Sequence, residues 1–178
     1  FGIGASLDKR INSINPANGG VYFNLNTGIY SSFIGSDFDF MRIEVDYRKY
    51  LKIGKAHTLA IQGVGIFNQG DPPFKLTGKL GGGQIMRGYY WGRYRNRQMY
   101  AVQAELRLEV YKRIGMVTFA SLGNTNDKLS QLWNKRALAS YGLGIRFMLD
   151  KKSRANLRLD YAFSKNSQGI YIGYGEAF

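Results

Sequence analysis

Apolar and polar residues alternate along most of this chain. In residues 99–111, MYAVQAELRLEVY, the even positions are Tyr100, Val102, Ala104, Leu106, Leu108 and Val110, and the odd ones include Gln103, Glu105, Arg107 and Glu109. A period of two is that of a β-strand with one apolar and one polar face. Residues 38–52 repeat it, with Met41, Ile43, Val45, Tyr47 and Leu51 opposing Arg42, Glu44, Asp46 and Arg48. So do 154–164 (Leu157, Leu159, Tyr161 and Phe163 against Asn156, Arg158 and Asp160) and 137–149 (Tyr141, Leu143, Ile145 and Phe147 against Ser140, Gly142, Gly144 and Arg146). Residues 1–12, 20–33 and 169–178 follow the same rule, and 56–67 and 114–123 follow it less cleanly. The pattern predicts about nine strands of about ten residues or more, long for a globular sheet and suited to a tilted strand that crosses a membrane.

The connections add to this. Short turns are expected at Lys52–Lys55, Lys112–Gly115 and Asp150–Arg154, and long loops at 69–98 and 124–136. Short turns at one end and longer loops at the other are the habit of an outer-membrane barrel. A soluble antiparallel sandwich or lipocalin-like barrel also alternates. Here, however, the polar face carries Glu, Arg, Asp, Asn and Gly, and the apolar face bears Tyr and Phe near strand ends, as an aromatic girdle would. The expected fold class is therefore all-β, an antiparallel transmembrane β-barrel, closed because lipid offers no partner to a free backbone edge. Leu106, Leu108, Ile145, Leu159 and Ile172 would face lipid, and Glu44, Glu105, Arg107 and Arg146 the lumen.

Composition narrows the chemistry. The chain has 178 residues, 25 Lys plus Arg against 12 Asp plus Glu, a formal charge of +13, 13 Tyr, 11 Phe, 23 Gly and only 3 Pro, which suits strands. With no Cys, disulfides and thiolate chemistry are excluded, and the one His (His57) is little material for a histidine-based catalytic or metal centre. No enzymatic activity and no cofactor are expected. No stretch approaches the ~18 apolar residues of a transmembrane helix. The basic excess is expected to meet anionic outer-membrane lipid and lipopolysaccharide, and nucleic acid only without specificity.

One stretch stands apart: GGGQIMRGYYWGRYRNRQ, residues 81–98. It lacks the spacing of a phosphate-binding loop and leads into no helix. Its arginines and aromatics interleave as in a nucleic-acid patch, but the basic residues elsewhere do not gather into a groove. As a free surface loop it would be poorly soluble; docked in a polar lumen it would not be.

The stretch GGGQIMRGYYWGRYRNRQMYAVQAELR resembles the long loop and following strand of the BamA/TamA-type outer-membrane assembly barrels, the bacterial surface antigen superfamily. The resemblance rests on Met86-Arg87-Gly88-Tyr89 after Gly82-Gly83, on Glu105 in the next strand, on five strands after the loop, and on the aromatic Phe178. It implies an in-folding loop at 69–98 whose Arg87, Gly88 and Tyr89 sit in the lumen, with Arg87 meeting Glu105 first and Glu109 second. It also implies a weakly paired seam involving Gly173, Gly175 and Phe178 that opens sideways. The glycines of the last strand, Gly169, Gly173 and Gly175, would either permit a kink or leave room for the loop. Family barrels have about sixteen strands, an even number as in bacterial barrels generally, so residues 1–178 are expected to form the C-terminal portion of one larger barrel domain. A small stand-alone barrel of eight strands is the other count.

Two departures stand out. Where the family carries an Asp in the strand after the Glu strand, Phe119-Ala120-Ser121-Leu122-Gly123 offers Ser121, which predicts a weaker anchor. Glu176 stands where a terminal outer-membrane signal prefers an apolar residue. The implied function is insertion and assembly of outer-membrane proteins, with unfolded clients and periplasmic accessory subunits as partners. A two-partner-secretion pore and a structural or adhesive barrel binding lipopolysaccharide are the alternatives.

Overall fold

The computed structural model describes residues 1–54, 56–134 and 136–178. Their order is β1 (Gly2–Asp8), β2 (Gly20–Tyr30), β3 (Phe40–Ile53), β4 (His57–Gly70), β5 (Gly78–Leu80), β6 (Tyr94–Asn96), β7 (Gln98–Tyr111), β8 (Ile114–Asn126), β9 (Leu138–Asp150), β10 (Ala155–Ser164) and β11 (Ser167–Tyr174). Nine of these form one antiparallel sheet in the order β1-β2-β3-β4-β7-β8-β9-β10-β11, and β5 and β6 form a separate small hairpin. The nine match the strands expected from the alternation. The sheet is open: β1 and β11 lie at its two edges and do not pair with each other.

β3, β4 and β7 run 14 residues each. At ~3.3 Å per residue and a tilt of about 45°, such a strand rises roughly 33 Å, more than the ~25 Å apolar band of an outer-membrane barrel. Register keeps every polar row on one face. Arg48 lies opposite Gln62, Gln62 opposite Gln103, and Gln103 opposite Ser121, which faces Ser140. The other face exposes Val102, Leu122, Leu143, Ile145, Leu159, Ile170 and Ile172 in a continuous apolar surface. Exposed apolar area on that scale belongs against something other than water. Polar inside and apolar outside is the inversion that a lipid surround imposes.

The strands curl about the polar face. Phe178 reaches from beyond β11 to pack with Tyr50 of β3 and Ala60 of β4. Residues 9–19, between β1 and β2, cross one end of the curl: the Asn12 side-chain amide donates to Ser153 O (2.8 Å) and that of Asn15 to Arg154 O (3.1 Å). That end also holds the tight connections after β3, β7 and β9; Lys55, the last residue of the first expected turn, lies outside the described residues. The opposite end carries the connections 31–39, 71–97, 127–134 and 136–137; Lys135, within the expected loop 124–136, lies outside the described residues. The rule of short against long is broken twice, by the 9–19 crossing at the turn end and by the two-residue turn 165–166 at the loop end, where Asn166 takes a positive φ of 62°.

Leu159, paired with Ile145 and Ile172 near the middle of β10, sits at mid-depth of the apolar surface, whereas Leu108 lies near the turn end of β7. Leu159→Arg should cost about 2–4 kcal/mol of unfolding free energy in a bilayer, and Leu108→Arg about 1 kcal/mol. Denaturant unfolding of the two variants in lipid vesicles measures both. Equal costs would contradict this placement of the strands across the bilayer.

Candidate functional site

The connection between β4 and β7 does not extend away from the sheet; it folds back over the polar face. Its stem is the β5–β6 hairpin, with Gly78, Lys79 and Leu80 paired to Asn96, Arg95 and Tyr94. Leu80, Met86 and Tyr89 form a buried cluster with Met99 and Ala101 of β7, flanked by Val64, Ile66 and Leu138. This apolar packing puts the tip, residues 81–89, deep in the curl.

At the tip the backbone is held in conformations that few residues adopt. Met86 has φ 51° and Gly88 φ 102°. A left-handed non-glycine residue costs roughly 1–2 kcal/mol, so the surroundings must impose it. At Gly88 a side chain is excluded on two grounds, because an added Cβ would also lie 2.9 Å from the backbone carbon of Phe163. These two residues flank Arg87 and aim it.

Arg87 is wholly buried, and its fork spans two carboxylates. Nη2 donates to Glu105 Oε1 of β7, and Nη1 donates to Asp160 Oδ2 of β10 at 2.6 Å, with both acids fully buried. The ring of Phe119 lies beneath the guanidinium, 3.5 Å from its carbon to the ring centroid. An arginine suits this place because its planar fork donates in two directions at once and its flat face stacks on an aromatic. Side chains of the sheet hold the loop backbone around it. Gln103 donates to Gln84 O (2.8 Å), Arg158 to Gly83 O (2.9 Å) and Ser164 to Gly88 O (2.9 Å), and the Gly88 amide donates to the Tyr171 hydroxyl (2.9 Å). The Tyr89 hydroxyl donates to Ala139 O (3.0 Å).

The two carboxylates are shared. Arg107 Nε donates to Glu105 Oε2 (2.9 Å), and Arg146 Nη1 donates to Asp160 Oδ1. Arg146 Nε in turn donates to Glu176 Oε2 (2.8 Å), and the same oxygen lies 3.7 Å from Arg107 Nε. Three arginines and three acids thus alternate in a closed ring drawn from the loop, β7, β9, β10 and the segment after β11. Gly144 makes room for it, since a Cβ there would fall 2.1 Å from Asp160 Oδ1.

The sequence-expected residues divide as follows. Arg87, Gly88, Tyr89 and Glu105 come together. Glu109 does not join them. It shares the polar face of β7 but lies four residues further on, roughly 13 Å along the strand, where it pairs with Arg154 at the turn end, half-exposed. Ser121 is buried, yet its hydroxyl reaches only Gln103 Oε1 (3.4 Å), so it touches the loop through Gln103 alone. The weaker anchor expected from a serine at this position is not what the geometry shows: Asp160 supplies the second carboxylate from two strands away.

Of the last-strand glycines, Gly173 leaves space for the Arg158 guanidinium, and Gly169 for the Tyr171 ring. Gly175, with φ 76° and open space around it, turns the chain inward so that Glu176 enters the ring and Phe178 its pocket. The inward turn accounts for an acidic residue at 176. Of the ring, Arg107 and Arg146 were expected only to face the lumen, and Asp160 and Glu176 were not expected in the site. Asp160 was visible on the polar face of its strand, but nothing local placed it level with Glu105.

Because each acid here balances buried guanidinium charge, Asp160→Asn and Glu105→Gln should each lower the unfolding free energy by about 3 kcal/mol. Ser121→Ala should lower it by about 1 kcal/mol, and Glu109→Gln by less than about 1 kcal/mol, as expected of an exposed pair. Denaturant titration in lipid vesicles checks the order. A loss for Glu109→Gln matching that for Asp160→Asn would contradict the assignment.

Comparison with known proteins agrees with this architecture. Among curated proteins none matches the chain. Among protein families, the Omp85 superfamily domain matches residues 1–178, the whole length that carries the nine-stranded sheet, the in-folded loop and its anchor. The chain belongs to the Omp85 superfamily, whose members are outer-membrane β-barrels of protein insertion and secretion.

Proposed function

We propose that this chain is the C-terminal portion of a barrel of about sixteen strands, even-numbered as bacterial barrels are, that inserts and assembles other outer-membrane proteins. No chemical catalysis is part of this reading. The observation that carries it is the Arg87 fork, which fixes a long loop inside the lumen at large energetic stake. A loop held there by two buried acids sets the shape of the lumen beside the last strands. β11 is the shortest of the strands after the loop, at 8 residues, carries Gly169 and Gly173 on its lumenal side, and has an unpaired outer edge among the described residues. Such an edge, once its neighbour parts from it, offers backbone donors and acceptors to an incoming strand. Clients would be unfolded outer-membrane proteins, delivered with the help of periplasmic accessory subunits.

The basic residues support a second partner. Lumenal arginines are nearly balanced by lumenal acids, so the excess charge lies at the two rims. Lys112, Arg113, Lys151 and Lys152 cluster at the turn end, and Lys75, Lys79, Arg93 and Lys165 at the loop end. We assign the loop-end group to lipopolysaccharide phosphates and the turn-end group to anionic phospholipid headgroups.

Reconstituted full-length protein tests the principal reading. Arg87→Ala should abolish folding of an added client barrel into proteoliposomes, whereas Asp37→Asn, exposed in the 31–39 connection, should leave its rate within about twofold, the range of a surface change. Normal client folding by Arg87→Ala would sink the proposal. Failure to fold any client, with export of one dedicated substrate retained, would favour the secretion pore.

A further inference from the structure

Glu176 sits in a position that the barrel itself does not require. β11 ends at Tyr174, Gly175 turns the chain, and Glu176 then buries its carboxylate among Arg107, Arg146 and Asn156, whose amide donates to Oε1 at 2.6 Å. We infer that Glu176 is a positioning residue that couples the C-terminal segment to the in-folded loop. The inference needs only the geometry of the ring; the reading as an assembly barrel supplies its consequence, not its basis.

The coupling follows from how the acids are shared. With Glu176 in place, Arg107 is compensated by Glu105 and Glu176, and Arg146 by Asp160 and Glu176. Arg87 draws on the same Glu105 and Asp160. Withdrawing Glu176 leaves two acids for these three guanidinium groups, with Arg158 a fourth cation 3.6 Å from Asp160. Neither Arg107 Nη1 nor Arg146 Nη2 has a hydrogen-bond partner among the described residues. Besides the contacts of Arg107 Nη2 with Phe178 O and of Arg146 Nη1 with Ile145 O, both arginines would then have only the carboxylates that hold Arg87 to balance their charge, while repelling it at short range in a poorly screened interior. Pulling the C-terminal segment away must weaken the loop anchor. By thermodynamic reciprocity, releasing the loop must weaken the hold on the C-terminal segment by the same factor. Displacement of the last strand by a client would then be felt at the loop, which links the state of the seam to the contents of the lumen.

Amide hydrogen exchange of the full-length protein in lipid nanodiscs reads both ends at once. The loop reporter is residues 82–89, where the Gly82 amide donates to Tyr89 O and the Gly88 amide to the Tyr171 hydroxyl. The C-terminal reporter is residues 174–178, where the Gly175 amide donates to Asn156 O. Glu176→Gln should speed exchange in 82–89 by about tenfold, and Arg87→Lys, which keeps the charge but loses the fork, should speed exchange in 174–178 by a similar factor. Asp37→Asn, an exposed change in the 31–39 connection, should leave both reporters at the parent rate. The inference is overturned if Glu176→Gln loosens only 174–178, if Arg87→Lys loosens only the loop, or if exchange rises uniformly over all strands. Should Glu176→Gln fail to fold, the Arg87→Lys arm decides alone. Client folding plays no part in this readout, so a coupled protein that assembles no client would refute the proposed function and leave the coupling standing.

Discussion

A guanidinium sealed inside a barrel cannot be left to water, and the arrangement around Arg87 answers that constraint. Taking one charge out of solvent carries a penalty of several kcal/mol, and a single carboxylate partner seldom more than offsets it. Here Glu105 and Asp160 approach from opposite sides and Phe119 covers the flat face. The rest of the local design serves that meeting. Gly144 yields space to Asp160, Gly88 lets the loop pass against the Phe163 backbone, and Met86 accepts a strained φ so that Arg87 points inward. The apolar cluster of Leu80, Met86 and Tyr89 brings the loop to the right depth, and the charges then determine how it sits.

This division of labour follows from the inverted polarity of the sheet. In a soluble domain the interior is apolar and burial itself favours the fold. Here the outer face supplies apolar contact to lipid, and the enclosed face is lined by Gln, Asn, Ser, Arg, Asp and Glu. Packing alone cannot select one loop position on such a surface, so specificity passes to hydrogen bonds and ion pairs. Those are strong where water is excluded and costly when a partner is missing. The ring through Glu105, Arg107, Glu176, Arg146, Asp160 and Arg87 therefore ties together five parts of the chain: the loop, β7, β9, β10 and the segment after β11.

How much of this was legible in the sequence depended on the range of the interaction. Strand faces follow from a period of two within a dozen residues, so Glu105, Arg107, Arg146 and Leu159 were placed on the correct side from pattern alone. The loop was marked by its own composition and by the Met86-Arg87-Gly88-Tyr89 motif. Depth was not legible in the same way. Glu105 and Glu109 have the same parity on the same strand, and only the stagger between strands shows that one lies beside Arg87 and the other at the rim with Arg154. Asp160 was hidden for the same reason: its level relative to Glu105 is set by three successive registers, β7 to β8, β8 to β9 and β9 to β10. Glu176 needed one more fact, the left-handed turn at Gly175, which a glycine near the end of a strand permits without requiring it.

The central claim is that Arg87 and the acids opposite it act as one unit to hold the loop in the lumen. A double-mutant cycle across Arg87 and Asp160 measures this directly. Unfolding free energies in lipid vesicles would be compared for the parent, Arg87→Ala, Asp160→Ala and the double variant. The account predicts an interaction energy of about 2 kcal/mol or more, as found for close, desolvated charge pairs. Effects that simply add, to within about 0.5 kcal/mol, would mean that the two residues do not depend on each other and would contradict it.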